Sequence, residues 1–186
     1  METRTATQII GGNPNQKRSE TDFYPTPPEV TEALLEFLGL PKSTVIWEPA
    51  CGEMDMVSVV ESAGYSVIAT DLKYGQDFLT EALPDCDWII TNPPFSVSDK
   101  FIERCAEHGK PFALLLKSQY WHAKKRYDLY MKYKPTAVCP LTWRPDFLFK
   151  KKDKRHAPLM DVMWCIWQPP YFHNTIYYPL RRRNDD

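Results

Sequence analysis

From residue 44 to residue 167 the chain alternates short apolar runs with amphipathic stretches, and this alternation constrains the fold more than any other feature. Thr44-Val45-Ile46-Trp47, Ser66-Val67-Ile68-Ala69-Thr70, Trp88-Ile89-Ile90-Thr91, Phe112-Ala113-Leu114-Leu115-Leu116, Thr136-Ala137-Val138-Cys139 and Met160–Trp167 have the length and composition of buried strands. Helical spacing joins Met56, Val57, Val59, Val60 and Ala63 up to Gly64, then Phe101, Ile102, Cys105 and Ala106 behind a candidate cap at Ser98. A basic helix is expected around 122–133. Ahead of the first strand, Val30, Ala33, Leu34, Phe37 and Leu38 mark another helix, with Thr26 as its expected cap, Pro27 in its first turn and Glu29 completing a capping box. Apolar strands alternating with helices predict an α/β protein with a parallel sheet covered on both faces. In such sheets ligands bind beyond the carboxyl ends of the strands.

A length of 186 residues fits one domain. Polar residues 1–20 read as a flexible arm, 21–180 as the domain, and 181–186 as a short basic-acidic tail. No apolar run approaches the ~20 residues of a membrane span, and the amino terminus lacks a signal-peptide core, so no membrane association and a cytoplasmic location are expected. Cys51, Cys86, Cys105, Cys139 and Cys165 are scattered and odd in number, which suits a reducing compartment. The lone Cys105-x-x-His108 has no partner pair, so no metal is expected.

Three polar positions stand at strand ends and should converge on one rim: Glu48, Asp71 and Asn92. Gly52 forms a tight turn after the first strand, and Asp71 follows 19 residues later, close to the ~20 expected of an acid that binds ribose hydroxyls. With one glycine and no GxGxxG, a nucleoside without phosphates fits better than a dinucleotide; a strand-end cap is the alternative for Asp71. Asn92-Pro93-Pro94-Phe95 is more specific. Two prolines directly after a buried strand make a rigid corner, because proline fixes φ and removes a donor. Such a corner holds a carbonyl and a carboxamide outward together.

This combination, EPACG followed by Asp71, then Asp77-Phe78, then NPPF, resembles the S-adenosylmethionine-dependent methyltransferases that act on exocyclic amines. It looks most like the small DNA adenine-N6 methyltransferases of bacteriophages and prophages, over about residues 21–167. The resemblance implies a Rossmann-like class I domain with a mostly parallel seven-stranded sheet, helices on both faces and an antiparallel last strand. It also implies S-adenosylmethionine as cofactor, with S-adenosylhomocysteine as product, in a bacterial cell or a phage-infected host. Glu48, Pro49, Ala50, Cys51 and Gly52 would hold the methionine end, Asp71 with Leu72 the ribose, and Asp77 with Phe78 the adenine. Tyr24-Pro25-Thr26-Pro27 resembles the family segment that contacts the methionine carboxylate. Asn92, Pro93, Pro94 and Phe95 would be catalytic, with Asn92 also beside the cofactor. The family usually has a second glycine where this chain has Met54.

Charge is segregated. Residues 1–110 hold 8 Lys+Arg against 18 Asp+Glu, whereas residues 111–186 hold 15 against 6. A basic carboxyl half points to an anionic partner, with solvated helix faces as the alternative. Candidate phosphate contacts are Lys124, Lys125, Arg126, Arg144, Lys150, Lys151, Lys152, Lys154 and Arg155. The aromatic and basic loop 140–158 resembles the family segment that offers a flipped base its second stacking face, with Phe147 or Trp143 as candidate; a hairpin closing on the sheet is the alternative. The expected activity is transfer of a methyl group to adenine N6 in DNA with short or relaxed sequence preference, by a monomer or weak dimer. RNA adenine or protein glutamine methylation, or non-catalytic nucleic-acid binding, are the other readings.

Overall fold

The computed structural model describes residues 24–150, 158, 160–171 and 174–183. The apolar residues of the central strands face one of two layers. Helix α1 (Pro28–Leu38) leads into β1 (Val45–Glu48), α2 (Asp55–Ser62) and β2 (Ser66–Ala69). Strand β3 (Trp88–Thr91), α3 (Ser98–His108) and β4 (Phe112–Lys117) follow, then α4 (Tyr127–Lys132), β5 (Ala137–Pro140), β6 (Val162–Trp167) and β7 (Ile176–Tyr177). The seven strands form one sheet in the order β2-β1-β3-β4-β6-β5-β7.

All neighbours pair in parallel except β6, which runs antiparallel to both β4 and β5. The parallel α/β sheet with helices on both faces is as expected. The antiparallel strand is the sixth of seven, because a two-residue parallel edge strand follows it. That edge strand is too short and too exposed to leave a periodic apolar signal.

Alternation along the strands builds the two layers. Ile46, Trp88, Ile90, Ala113, Leu115, Trp164 and Ile166 pack with Val30, Ala33, Leu34 and Leu35 of α1 and with Met56 and Val60 of α2. On the other face Trp47, Ile89, Phe112, Leu114, Leu116, Cys165 and Trp167 pack with Phe101, Ile102 and Cys105 of α3. The Trp164 indole, fully buried, donates to the Val30 carbonyl at 2.9 Å and fastens α1 to the sheet. The chain passes from β1 outward to β2 and then back across β1 to β3, so the strand order reverses between β1 and β3. A crevice at the carboxyl ends of β1 and β3 is the expected ligand position in such a sheet. Glu48 ends β1 and Asn92 follows β3.

Two caps differ from expectation. Pro27 is the residue before α1, Pro28 takes the first helical position, and no side chain caps the helix. Thr26 lies outside it in extended chain, since a residue preceding proline is pushed away from helical dihedrals, and its hydroxyl serves elsewhere. Ser98 is inside α3, and its hydroxyl donates to the Pro94 and Phe95 carbonyls at 3.3 and 3.2 Å instead of accepting from an amide. The basic stretch 122–133 is broken into short 3₁₀ turns, Tyr120–His122 and Lys124–Arg126, before α4. The flexible-arm assignment to 1–20 falls outside the described residues.

Candidate active site

Loop 48–54 and the turn after β2 are laced together by backbone groups. The Cys51 amide donates to the Thr70 carbonyl and the Thr70 amide to the Glu48 carbonyl, both at 3.0 Å. The Asp71 carboxylate completes the lacing: Oδ2 accepts from the Gly52 amide and Oδ1 from the Lys73 amide, both at 2.8 Å. Asp71 is therefore a strand-end cap and a brace for the glycine turn at once. Each carboxylate oxygen retains a lone pair for another donor.

Gly52 has φ 51°, and Met54 has φ 63°, the one non-glycine residue at positive φ among the described residues. A glycine-like backbone is thus present at position 54 without the glycine. An L-residue in this region costs about 1–2 kcal/mol through Cβ crowding. Met54 is 37% exposed, so its packing only partly offsets this cost. Met54→Gly is expected to raise stability by about 0.5–1 kcal/mol once glycine's larger unfolded-state entropy is set against the relief. A urea midpoint that rises at constant slope is the expected reading; an unchanged midpoint would mean that the loop absorbs the strain elsewhere.

Glu48 is 2% exposed. Its Oε1 accepts from the Ala50 amide at 3.1 Å, whereas Oε2 is buried without a hydrogen-bond partner among the described residues. Burial pushes its carboxyl up from 4.5 to about 8, against the lowering influence of the Thr91 hydroxyl and the Ala50 amide. The unfolded chain releases this proton near 4.5 while the folded chain keeps it until about 8. Glu48 therefore makes stability fall as pH rises across that window. Glu48→Gln is expected to flatten the decline and to stabilise the protein at the alkaline end, as read by melting temperatures of both chains through the window. Parallel curves for the two chains would contradict the assignment.

Asn92 owes its orientation to the segment before α1. Its Nδ2 donates to the Tyr24 carbonyl at 3.1 Å and to the Thr26 hydroxyl at 3.0 Å. Both amide hydrogens are thereby used, and Oδ1 is what the side chain offers to a further donor. Pro93 is buried, and its carbonyl accepts no hydrogen bond from the described residues. The Phe95 ring is half-buried, 5.6 Å from the Tyr24 ring, which in turn meets the edge of Phe147 at 6.1 Å.

These parts border a cavity of about 510 Å³ lined by Tyr24, Ala50, Gly52, Glu53, Asp71, Leu72, Lys73, Asn92, Pro93 and Pro94. Its volume lies within the ~300–1,000 Å³ usual for small-molecule and cofactor sites. A second space of about 20 Å³ adjoins it, sharing Tyr24, Ala50 and Asn92 and reaching Thr26, Glu48, Cys51 and Asp55. Two buried carboxyl oxygens with no partner, Glu48 Oε2 and Asp55 Oδ2, belong to residues lining this small space. The second oxygen of Asp55, whose first pairs with Lys150, and the Glu48 carboxyl, which a cation beside it would ionise, suit an ammonium group. Burial also pushes the Cys51 thiol up to about 11, which rules out a thiolate nucleophile there at neutral pH.

The structure thus brings Tyr24, Thr26, Glu48, Ala50, Cys51, Gly52, Asp71, Leu72 and Asn92–Pro94 together. Pro49 and Pro27 are buried and line neither space. Asp77 Oδ1 accepts from the Leu79 amide at 3.0 Å, and Asp77 is not a lining residue. Phe78 lies in the α3-side core, 4.6 Å from Phe101 and 5.2 Å from Trp47. Sequence reasoning missed the Thr26 hydroxyl and the Tyr24 carbonyl as the groups that set Asn92. The available signal was Pro25 and Pro27, which force the threonine between them into extended chain.

Among the candidate cations, Lys124 is exposed and Lys125 lies 3.8 Å from Asp99. Arg126 is committed to Asp99 at 3.2 Å, to the Tyr120 carbonyl at 2.7 Å and to the Tyr120 ring. Arg144 pairs with Asp161 at 2.8 Å, and Lys150 with Asp55 at the start of α2. Trp143 packs against the α1-side core beneath Arg182, and Phe147, buried in that same core, stands next to Tyr24. Lys151, Lys152, Lys154 and Arg155 lie outside the described residues.

A reversed strand order around β1 and β3, with an antiparallel strand inserted beside β4, defines the Rossmann-like fold of class I S-adenosylmethionine-dependent methyltransferases. Solved structures agree. The chain superposes with a TM-score of 0.58 at 16% identity on a candidate class I S-adenosylmethionine-dependent methyltransferase from Listeria monocytogenes, covering 87% of this chain and 67% of that one. It superposes on a dimethyladenosine transferase from Plasmodium falciparum with a TM-score of 0.56 at 15% identity, covering 78% and 62%. For the EcoKI type I restriction enzyme M protein the values are 0.54 and 15%, covering 94% of this chain and 51% of that one. The chain thus spans between half and two thirds of the length of these three proteins. No protein-family model and no curated sequence matches it.

Proposed function

We propose that this protein transfers a methyl group from S-adenosylmethionine to the N6 amine of adenine in DNA. One observation carries the reading. The Asn92 carboxamide is locked with its oxygen left for a donor, and it borders the same cavity as the Asp71 carboxylate.

The residues present fit the cofactor. Asp71 and Leu72 would hold its ribose, the loop through Gly52 its methionine backbone, and the two unpartnered carboxyl oxygens of Glu48 and Asp55 its ammonium. When bound, the cofactor supplies a sulfonium-activated methyl group. An adenine amine is a poor nucleophile because its lone pair is delocalised into the ring. Asn92 Oδ1 and the Pro93 carbonyl accept its two hydrogens, which favours a pyramidal nitrogen with the lone pair directed at the methyl. In the transfer the nitrogen–carbon bond would form as the sulfur–carbon bond breaks, with the amine proton released to solvent. Positioning and electrostatics carry such a displacement, with no strong base required. Phe95 stacks on the base, which must leave the duplex to reach this rim.

The fold neighbours include a type I restriction enzyme M protein and a dimethyladenosine transferase, so the decisive test runs substrates in parallel. Incubation with methyl-labelled cofactor and DNA, RNA or protein, followed by digestion, is expected to give labelled N6-methyladenine from DNA. Label confined to RNA adenine or to protein glutamine would redirect the reading. The non-catalytic alternative predicts no saturable heat when S-adenosylmethionine is titrated into the protein.

A further inference from the structure

The cations near the rim are not equivalent. Lys73 pairs with Glu53 at 3.0 Å, Lys150 with Asp55 and Arg144 with Asp161. Lys117, the last residue of β4, has no carboxylate partner among the described residues. Its backbone is fixed opposite Val162 in the sheet, and the next amide, Ser118, donates to the Asp161 carbonyl at 3.0 Å. Its side chain is exposed, yet the ammonium sits 4.6 Å from the centroid of the Phe95 ring, over the ring face.

We infer that Lys117 keeps the Phe95 face covered in the free protein and, when the target base enters, yields that face and moves its ammonium onto the phosphate of the same nucleotide. This rests on the reading of the Asn92–Phe95 corner as the seat of a nucleic-acid base. The Lys117 side chain is exposed, and a cation–ring contact at an exposed site is weaker than a base stacked on the ring, so the exchange runs in the required direction. The ammonium forms no ion pair among the described residues, so it carries an unneutralised charge to the backbone. Lys117 is thus a positioning residue for the target nucleotide and makes no contact with the reacting atoms.

The test measures binding of a short labelled oligodeoxyadenylate across a salt series with S-adenosylhomocysteine present, and methyl transfer at saturating oligonucleotide with S-adenosylmethionine. Lys117→Met is expected to weaken binding several-fold and to reduce the slope of log affinity against log salt by about 0.7, the contribution of one phosphate contact on a single strand. Its saturated transfer rate should stay within about twofold of wild type. Lys117→Arg should keep the wild-type slope. An unchanged slope in Lys117→Met, or a fall in saturated rate with binding intact, overturns the inference while wild-type transfer still upholds the adenine reading. A wild-type chain that labels no adenine removes both.

Discussion

Replacing Asn92 with alanine is expected to lower the methyl-transfer rate about a hundred- to a thousand-fold, the range seen when one preorganised hydrogen-bonding group is removed from a reacting centre. Binding of DNA should change little, because affinity for the polynucleotide comes mainly from phosphate contacts. The size of the effect follows from what Asn92 is asked to do. Both its amide hydrogens are spent on Tyr24 and Thr26, so under the proposed reading its single remaining acceptor would meet the amine without rotational freedom. Thr26→Val should then cost a smaller factor, about tenfold, by freeing the carboxamide to rotate, and Thr26→Ser should restore the rate. Single-turnover measurements with saturating cofactor and DNA read these differences directly. A parallel loss of DNA binding and rate in Asn92→Ala would show that the residue holds the structure and does not hold the amine.

Asp71→Ala is expected to weaken S-adenosylmethionine binding by at least about a hundredfold, roughly 3 kcal/mol. The carboxylate accepts from the Gly52 and Lys73 amides, and hydrogen bonds to a charged group are each worth about 1.5–3 kcal/mol. Under the proposed reading its removal would deprive the cofactor of a ribose partner, and it releases the Gly52 turn that borders the cavity. Asp71→Asn keeps one acceptor and should fall between the two. Calorimetric titration measures the affinities, and a denaturant melt separates the two roles. Lost stability with unchanged cofactor affinity would leave Asp71 as a brace alone.

Much of this architecture was legible in the chain because it depends on neighbours in sequence. Ile89 and Ile90, or Leu114 and Leu115, belong to different layers, and a strand buried on both sides announces itself as an unbroken apolar run. Glu48, Asp71 and Asn92 were visible as polar outliers at strand ends, and the reversal of strand order between β1 and β3 gathers them. Elsewhere local signals misled. Thr26 had the spacing of a helix cap but gives its hydroxyl to a residue 66 positions away. Arg126 counted as a free cation by composition, yet Asp99 of α3 and Tyr120 already hold it. Phe78, next to Asp77 in sequence, is drawn into the core by Trp47 and Phe101.

Sequence by itself determined the α/β class, the rim on which the site must lie, and the proline-braced corner, since periodicity and proline geometry act over a few residues. Only the tertiary structure decided which way the Asn92 amide faces, that Met54 adopts the turn of a glycine, and that Lys117 lies over Phe95. Each of those depends on a balance of hydrogen bonds, burial and charge between segments that the chain connects only through the folded sheet, and no local pattern encodes that balance.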